Sequence, residues 1–357
     1  MKEKIFSAGL VLALCLGLVG CRKASVSETV SGTETAGDEK KIVVGFSQLG
    51  AESDWRSKNT ESMKAAFTAE NGYELIFEDG QQKQSNQIMA VRTFIQQEVD
   101  YIVLAPVIET GWDTVLQEAK DAGIPVILVD RMVDVTDDSL YTAWVGSDFD
   151  LEGRKACEWL SAFLDEKELG HVNIVNIQGT IGASAQIGRT GALEELCMGN
   201  ERVTLLDEVT GDFTQARGKE VMESLLKKYE DIDIVYCEND NEAFGAIEAI
   251  EASGQRAGSD IAGGEVMVLS FDGVKKDGMK YVQEDRISFI AECNPLQGPY
   301  VREIIETLEE GKTPQKFSYV DERMFAHDDT VASVTVDGTE YPVNVVNEEV
   351  LEKHIYD

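Results

Sequence analysis

Short segments dominated by apolar and β-branched residues recur along the chain from residue 42 onward. Polar residues bound each segment, and stretches with a different pattern separate them. Buried strands of a parallel sheet have this composition, because helices cover both faces of the sheet. The segments that we predict to be strands are 42–44, 101–104, 126–129, 172–175, 203–206, 232–235, 266–269 and 287–290.

The stretches between these segments carry apolar residues at helical spacing. In 63–67, 88–95 and 112–119, apolar residues recur every three or four positions, as on the buried face of a helix. Gly123 and Pro125 follow the last of these patterns and are typical of a helix end. Alternating strands and helices predict parallel α/β units, and roughly nine such units predict two doubly wound parallel-sheet lobes. No Gly-x-Gly-x-x-Gly turn follows the first strand, which disfavours a dinucleotide-binding fold.

The apolar run near the start of the chain differs from the predicted strands in the residues that flank it. Lys2 and Lys4 precede the run, which covers residues 5–19, and Gly20 and Cys21 follow it. A basic start and a short apolar run are typical of a bacterial export signal. The run is shorter than the ~20 apolar residues of a comfortable membrane span. We therefore predict a signal peptide over residues 1–20.

The residues around Cys21 resemble the lipobox of bacterial lipoproteins, in which a small residue directly precedes the lipidated cysteine. The resemblance implies that Cys21 becomes the mature N-terminus and carries acyl chains. An ordinary signal peptide that happens to contain a cysteine is the alternative. Residues 22–39 are almost free of apolar side chains, which predicts a disordered tether behind the lipidated cysteine, over 21–39 in all. The remainder is then expected to be extracytoplasmic and anchored to the cell membrane through lipid alone.

Charge and cysteine content narrow the classes of function. The 357-residue chain has a formal net charge of −34, whereas nucleic-acid binding requires a positive surface, so we expect no nucleic-acid partner. Cys157, Cys197, Cys237 and Cys293 lack the Cys-x-x-Cys spacing and the nearby histidine pairs of a zinc site. We expect no metal and no cofactor. These four cysteines allow three disulfide pairings or buried free thiols, and the sequence does not choose between them.

Polar residues collect where the predicted strands end. Asp130 and Arg131, Asn239, and Asp272 come at or directly after the ends of apolar runs, and other strand ends also carry hydrogen-bonding groups. In open parallel sheets, ligands bind beyond the carboxyl ends of the strands. A turn or a helix cap explains any one of these positions, but together they favour a polar ligand between two lobes. A sugar or polyol fits, because its hydroxyls need carboxylates, amides and guanidinium groups, and its apolar faces lie against aromatic rings.

Several segments spread over both halves of the chain resemble one family, in family order. The sequence is similar to the sugar-binding proteins of ABC importers with the type I periplasmic binding protein fold, and most similar to their galactofuranose-binding branch. The resemblance covers about residues 40–320. The segments that carry it are VVGFSQLGAESDWR at 43–56, DGQQKQSNQI at 79–88, APVIETGW at 105–112, ILVDR at 127–131, QGTIGAS at 178–184, GDFT at 211–214, END at 238–240 and SFDG at 270–273.

The resemblance implies a monosaccharide ligand, captured between two lobes and delivered to an ABC permease and its ATPase. It implies that Trp55 stacks on the sugar and that Asp130 and Arg131 form a central clamp for hydroxyl groups. Residues of the second lobe then complete the site as bidentate partners. The sugar-binding residues implied are Glu52, Trp55, Arg56, Asp130, Arg131, Arg189, Asn239 and Asp272.

The same resemblance implies a three-segment hinge and a monomer. We expect the N-terminal lobe to contain residues 40–148 and 295–313, and the C-terminal lobe to contain residues 149–294 and 314–357. The chain should therefore cross between the lobes near 148–149, 294–295 and 311–314. The tail after Lys316 is longer than the family norm.

Three other classes of protein compete with this interpretation. A glycosidase could use Asp130 and Asp272, but an arginine beside each acid should keep it ionised, and no nucleophile-elbow pattern occurs. A sugar-responsive transcriptional regulator requires an N-terminal helix-turn-helix and a basic surface. A sensor that presents a sugar or a signalling molecule to a chemoreceptor or histidine kinase would use the same binding chemistry, so the sequence leaves it open. We expect no enzymatic activity.

Overall fold

The computed structural model describes residues 40–274, 276–353 and 356, and residues 40–357 form one compact unit. The predicted signal peptide, Cys21 and the tether lie outside the described residues. No helix in the described part of the chain has both the length and the hydropathy of a membrane span.

Two α/β lobes, each built around its own sheet, make up the described chain. Its strands are β1 (Ile42–Gln48), β2 (Tyr73–Asp79), β3 (Tyr101–Leu104), β4 (Val126–Val129), β5 (Ala143–Gly146), β6 (Val172–Gln178), β7 (Val203–Thr210), β8 (Ile234–Cys237), β9 (Met267–Asp272), β10 (Phe289–Glu292), β11 (Phe317–Tyr319), β12 (Met324–Ala326), β13 (Ser333–Val336) and β14 (Thr339–Val345). Its α-helices are α1 (Asp54–Ala66), α2 (Gln84–Gln96), α3 (Asp113–Asp121), α4 (Phe149–Glu166), α5 (Ser184–Gly199), α6 (Gln215–Lys228), α7 (Asp240–Ala252), α8 (Lys276–Gln283), α9 (Gly298–Glu309) and α10 (Glu348–Lys353).

The two sheets reverse strand order in the same way. The first sheet has the order β11-β5-β4-β3-β1-β2, and its described pairs are parallel. The second has the order β13-β14-β12-β10-β9-β8-β6-β7, with antiparallel pairs only where β12 and β13 join it. In each sheet the order reverses beside the lobe's first strand, at β1 and at β6. Such a reversal leaves a crevice at the carboxyl ends of the strands.

Both faces of each sheet are covered by helices, as the apolar strands predicted. In the first sheet, Val103 and Ile127 pack with α1 and α9, whereas Ile102 and Leu128 pack with α2 and α3 on the other face. The second sheet repeats this arrangement, with α6 and α7 on one face and α4 and α5 on the other. Alternate side chains of one strand therefore enter different cores, and both cores are apolar.

Three chain crossings join the lobes. The first runs between β5 and α4, and the second runs between β10 and α9. The third was predicted at 311–314, but β11 follows that position and pairs with β5 in the first sheet. The chain therefore crosses after Tyr319, and the first lobe extends beyond residue 313. The remaining tail widens the second sheet through β12, β13 and β14.

The described cysteines are all free thiols. Cys157, Cys237 and Cys293 are buried, and Cys197 is half-buried. Of the two states that the sequence left open, the structure thus has the unpaired one.

Candidate functional site

A cavity lined by buried side chains lies between the lobes, at the carboxyl ends of the strands. It is the crevice that the strand order of both sheets predicts. The structure brings all eight residues singled out from the sequence to its wall. The lining residues are Glu52, Ser53, Trp55, Arg56, Asp130, Arg131, Phe149, Ala185, Arg189, Phe213, Asn239, Asp272 and Cys293.

The start of α1 supplies three of these side chains. Ser53 caps the helix, since its hydroxyl accepts a hydrogen bond from the backbone N–H of Arg56 at 3.1 Å. This cap fixes Trp55 and Arg56 in the first turn, directly above the sheet. The Arg56 guanidinium then donates to Glu52 Oε1 at 3.1 Å and to Asp130 Oδ2 at 2.6 Å. Arg56 is therefore held by a carboxylate on each side.

Asp130 and Arg131 follow β4 and form the middle of the first-lobe wall. Asp130 has a left-handed backbone, with φ of 65°, and its N–H donates to Val145 O at 2.8 Å. Arg131 Nη1 donates to Val107 O at 2.6 Å, and its guanidinium lies 5.2 Å from the ring centroid of Phe213 in the other lobe. The predicted central clamp thus has a fixed geometry and already touches the second lobe.

Arg189 on α5 is the centre of the second-lobe wall. Its Nε donates to Glu152 Oε2 at 2.8 Å, its Nη2 forms an ion pair with the same oxygen at 2.7 Å, and its Nη1 donates to the Glu238 carbonyl. Asp272 Oδ1 lies 3.7 Å from Arg189 Nη2. The guanidinium stacks over the ring of Phe271 at 4.6 Å. Arg189 therefore cannot change its orientation without breaking several buried contacts.

Asn239 has a more local role than the sequence suggested. Its Oδ1 accepts from the N–H of Glu242 at 2.8 Å, which caps α7, and its Nδ2 donates to Phe213 O at 3.1 Å. An amide oxygen accepts two hydrogen bonds and an amide nitrogen donates two, so each atom keeps one bond for a ligand. Asn239 can thus contact a ligand while it also positions Phe213.

The charges of the site are close to balanced, since three guanidinium groups face the carboxyl groups of Glu52, Asp130, Glu152 and Asp272. Burial opposes the charge of Arg56, but Asp130 and Glu52 outweigh it and hold its pKa above the ordinary value. Burial and the neighbouring Arg56 lower the pKa of Arg131 to about 10. A neutral ligand with many hydroxyls suits such a site better than a strongly charged one.

Asp272 departs from one expectation. We expected the adjacent arginine to keep this acid ionised, but burial raises the pKa of Asp272 well above its ordinary range, against the opposing effect of Arg189. A protonated carboxyl group both donates and accepts a hydrogen bond, as a sugar hydroxyl does. The geometry of Asp272 therefore still suits a hydroxyl ligand.

Two buried polar atoms of the first-lobe wall have no hydrogen-bond partner among the described residues. They are Glu52 Oε2, an acceptor, and Arg56 Nη1, a donor. Buried polar groups are normally satisfied, because leaving one unpaired costs about 1–3 kcal/mol. A ligand that both donates and accepts would satisfy them.

Sequence reasoning missed several residues of the site, and three of them shape its walls. Glu152, which orients Arg189, and Phe149, which lines the cavity, both lie in the first turn of α4. Phe213 lies in the GDFT segment, where it and Asp212 have positive φ values of 60° and 54°. A signal for Phe213 was present, since GDFT was among the segments recognised and aromatic walls were expected. Nothing in the sequence pairs Glu152 with an arginine 37 positions later.

The lobes are in contact across the cavity. Asp54 N donates to Asn241 Oδ1 at 3.0 Å, and Met132 N donates to Ser184 Oγ at 2.8 Å. Each bond joins a first-lobe residue to a second-lobe residue. The structure therefore represents the closed arrangement, in which both walls of the cavity meet.

Comparison with known proteins agrees with this architecture. Residues 44–291 match the family model described as a periplasmic binding protein domain. The chain is 40% identical to the galactofuranose-binding protein YtfQ of Escherichia coli (strain K12) over 291 residues, which are 80% of this chain and 88% of that protein. The chain therefore belongs to the periplasmic binding protein family.

Solved structures with the same fold include sugar complexes. A galactofuranose-binding protein superposes with a TM-score of 0.77 at 37% identity, covering 88% of this chain and 98% of that one. A protein from Mycobacterium smegmatis in complex with β-D-fucofuranose gives a TM-score of 0.75 at 40% identity, covering 81% and 92%. The predicted α/β fold, with two parallel-sheet lobes of the type I periplasmic binding protein kind, is confirmed.

Proposed function

We propose that this protein captures a monosaccharide outside the cytosol and delivers it to an ABC importer. The proposed sugar is galactofuranose or a related sugar with a five-membered ring. One observation carries the proposal: the buried cavity joins guanidinium, carboxyl and aromatic groups from both lobes. Relatives named for galactofuranose or crystallised with a fucofuranose support the furanose form.

In this proposal the sugar hydroxyls bridge the two walls. Arg56, Asp130 and Arg131 bind from the first lobe, and Trp55 covers an apolar face of the sugar. Glu52 accepts a hydrogen bond from a sugar hydroxyl through Oε2, the atom that has no hydrogen-bond partner among the described residues. Such a site rejects sugars that lack a matching hydroxyl, because the buried partner is left unpaired.

The second lobe completes the site when the lobes close. Arg189, Asn239 and Asp272 bind the remaining hydroxyls, so the sugar contacts both lobes only in the closed form. A ligand shifts an equilibrium only by its difference in affinity for the two states. Contacts from both lobes supply that difference, and the closed form is then the one that a permease recognises.

We also propose that the chain is a monomer held at the cell membrane through acyl chains on Cys21. The apolar run before Cys21 and the polar residues behind it support this part of the proposal. Two or more acyl chains anchor a protein far more firmly than one does. The partners are then an ABC permease and its ATPase, and the protein binds its ligand without a catalytic step.

Calorimetric titration tests the binding function. The soluble part, residues 22–357, is titrated with a galactofuranoside locked in its ring form and with galactose, arabinose, ribose, fructose and myo-inositol. We expect one sugar to bind with a stoichiometry of one and with an affinity well above the others. Binding of none of them would contradict sugar capture and would favour a sensor for an unrelated polar ligand.

A further inference from the structure

The three chain crossings meet at one side chain behind the cavity. Glu322 lies in the third crossing, and its Oε1 accepts hydrogen bonds from Ser147 Oγ in the first crossing and from Asn294 N, at 3.0 Å, in the second. Asn294 Nδ2 in turn donates to Asp321 O at 3.1 Å. A single carboxyl oxygen therefore fastens all three connections between the lobes.

The second crossing connects this junction to the cavity. Cys293 lines the cavity, and its Sγ lies 3.3 Å from Ser147 Oγ. Its backbone carbonyl accepts from Trp55 Nε1 at 2.8 Å, and its backbone N–H donates to Asp272 O at 3.1 Å. Cys293 thus touches one predicted sugar-binding residue from each lobe.

A second path leads from the junction to Arg189. The Sγ atom of Cys293 and one carboxyl oxygen each of Glu152 and Glu322 lie within 4.8 Å of one another. Glu152 holds Arg189 through two nitrogens, as described above. A shift of Glu322 would therefore change the surroundings of Glu152, the acid that holds Arg189 in the second-lobe wall.

We propose that Glu322 is a positioning residue for sugar binding: it fixes the three crossings in the closed geometry, and through Cys293 and Glu152 it sets Trp55, Asp272 and Arg189. The proposal rests on the proposed function, since binding is what Glu322 supports. Glu322 does not line the cavity, so it acts through other residues.

The protonation of Glu322 suggests a conservative variant. Burial, together with the nearby Glu152, raises the pKa of Glu322 well above its ordinary range. A neutral carboxyl group resembles a carboxamide in shape, and Glu322→Gln keeps an oxygen that can accept from Ser147 and Asn294. Glu322→Ala removes that oxygen and leaves both donors unpaired.

The test compares the affinity of the full chain, in detergent micelles, for a galactofuranoside locked in its ring form, measured by calorimetry. Glu322→Ala should weaken binding about tenfold, whereas Glu322→Gln should stay within about threefold of the unchanged protein. Asp321→Ala, which removes an exposed carboxylate from the same crossing, is the matched control and should stay within about twofold. Equal affinity of Glu322→Ala and the unchanged protein would overturn the proposal, as would an equal loss in both Glu322 variants.

A double-mutant cycle tests the path from Glu322 through Glu152. If Glu322 acts through Glu152, the effects of Glu322→Ala and Glu152→Gln on affinity should not add. Additive effects would refute that path.

Amide hydrogen exchange of the ligand-free protein tests the role of Glu322 independently of the proposed function. Glu322→Ala should speed amide hydrogen exchange at residues 146–149 and 293–298 in the ligand-free protein, with Glu322→Gln close to the unchanged chain. If no sugar binds to the unchanged protein, the proposed function fails, and unchanged exchange in Glu322→Ala would then overturn the hinge role by itself.

Discussion

Asp130 and Asp272 hold left-handed backbone angles, with φ of 65° and 94°, at the carboxyl ends of strands in opposite lobes. Aspartate adopts this conformation more readily than most residues, yet it still costs of order 1 kcal/mol. Residues held in this way cluster at binding sites. Here each turn directs a carboxyl group toward an arginine and into the cavity. The strain therefore accompanies one predicted sugar-binding carboxyl group in each lobe.

Replacement of Arg131 tests the clamp at this scale. Arg131→Ala removes a buried guanidinium that donates to Val107 O and leaves the adjacent acids with fewer partners. Loss of one partner of a buried charge pair costs about 2–5 kcal/mol, so the dissociation constant for the sugar should rise at least about 30-fold. Calorimetry measures the change, and thermal unfolding checks that the variant is folded.

Arg202→Ala is the control for this change. Arg202 is partly exposed and pairs with Asp165 at the surface, where an ion pair contributes about 1 kcal/mol or less. Its affinity should remain within about twofold of the unchanged protein. Equal losses in Arg131→Ala and Arg202→Ala would contradict the clamp.

Glu238 gives stability a specific pH dependence. The side chain is fully buried, its Oε2 accepts from Gly179 N at 2.8 Å, and burial raises its pKa to about 7. The folded chain then binds a proton that the unfolded chain, with a glutamate pKa of about 4.3, has released. Stability from this group is present below about pH 4.3 and is lost as pH rises toward 7.

Glu238→Gln removes that proton equilibrium. Between pH 4.5 and 7.5 the free energy of unfolding of the variant should fall by about 1–3 kcal/mol less than that of the unchanged protein. Urea unfolding at several pH values measures how the free energy of unfolding of each protein changes with pH. A difference in stability that is the same at every pH does not affect this comparison. Parallel curves for the two proteins would show that Glu238 does not titrate in this window.

At the scale of elements, the approach of α4 to α5 places Glu152 beside Arg189. A Cβ at Gly188 would lie 2.7 Å from Asp150 N, and a Cβ at Gly153 would lie 2.7 Å from Ala192 Cβ. Only glycine fits at such separations without movement of the helices. The two glycines therefore set the spacing on which the Glu152–Arg189 pair depends.

Gly188→Ala should separate the start of α5 from α4 and displace Arg189. Overpacking of this kind costs about 1–3 kcal/mol of stability, and we expect sugar affinity to fall about tenfold as well. Gly191→Ala lies one position beyond Thr190 on the same helix, with nothing within 4 Å of its added Cβ, and should stabilise the protein by about 0.5–1 kcal/mol. Thermal unfolding and calorimetry of both variants check this, and the same response in both would contradict the spacing role.

The elements show what the sequence could predict. Val126–Val129 and the other central strands were predictable, because burial on both faces demands a continuous apolar run. β11 was not predictable, since Phe317–Tyr319 is short and its side chains are largely exposed. It joins the first sheet through backbone hydrogen bonds to β5. The pattern of apolar and polar side chains gives no sign of such bonds. The position of the third crossing was missed for the same reason.

The site was predicted more fully than the hinge. Asp272 ends a strand, and Trp55 and Arg56 lie in the first turn of the helix that follows β1. The carboxyl ends of parallel strands share one edge of a sheet. The roles of Glu152 and Glu322 depend on contacts between residues far apart in sequence. Packing of α4 and the course of the tail determine those contacts, so a single sequence does not contain their signal.

At the scale of the whole molecule, the proposed function requires the two lobes to close around the ligand by movement at the three crossings. Hydrogen bonds between the lobes, such as that from Asp54 N to Asn241 Oδ1, stabilise the closed form. A ligand in the cavity would stabilise it further by contacting residues of both lobes. Closure is coupled to binding only if the ligand contacts both walls. The central claim is therefore that a furanose sugar spans the cavity from one lobe to the other.

Titration of residues 22–357 with a galactofuranoside and a galactopyranoside, each locked in its ring form, tests this claim most directly. The two ligands carry the same hydroxyls in different positions, so a site with fixed buried partners should separate them by at least about 100-fold. We predict tight binding of the furanoside and weak or no binding of the pyranoside. Equal affinities, or a preference for the pyranoside, would contradict the account.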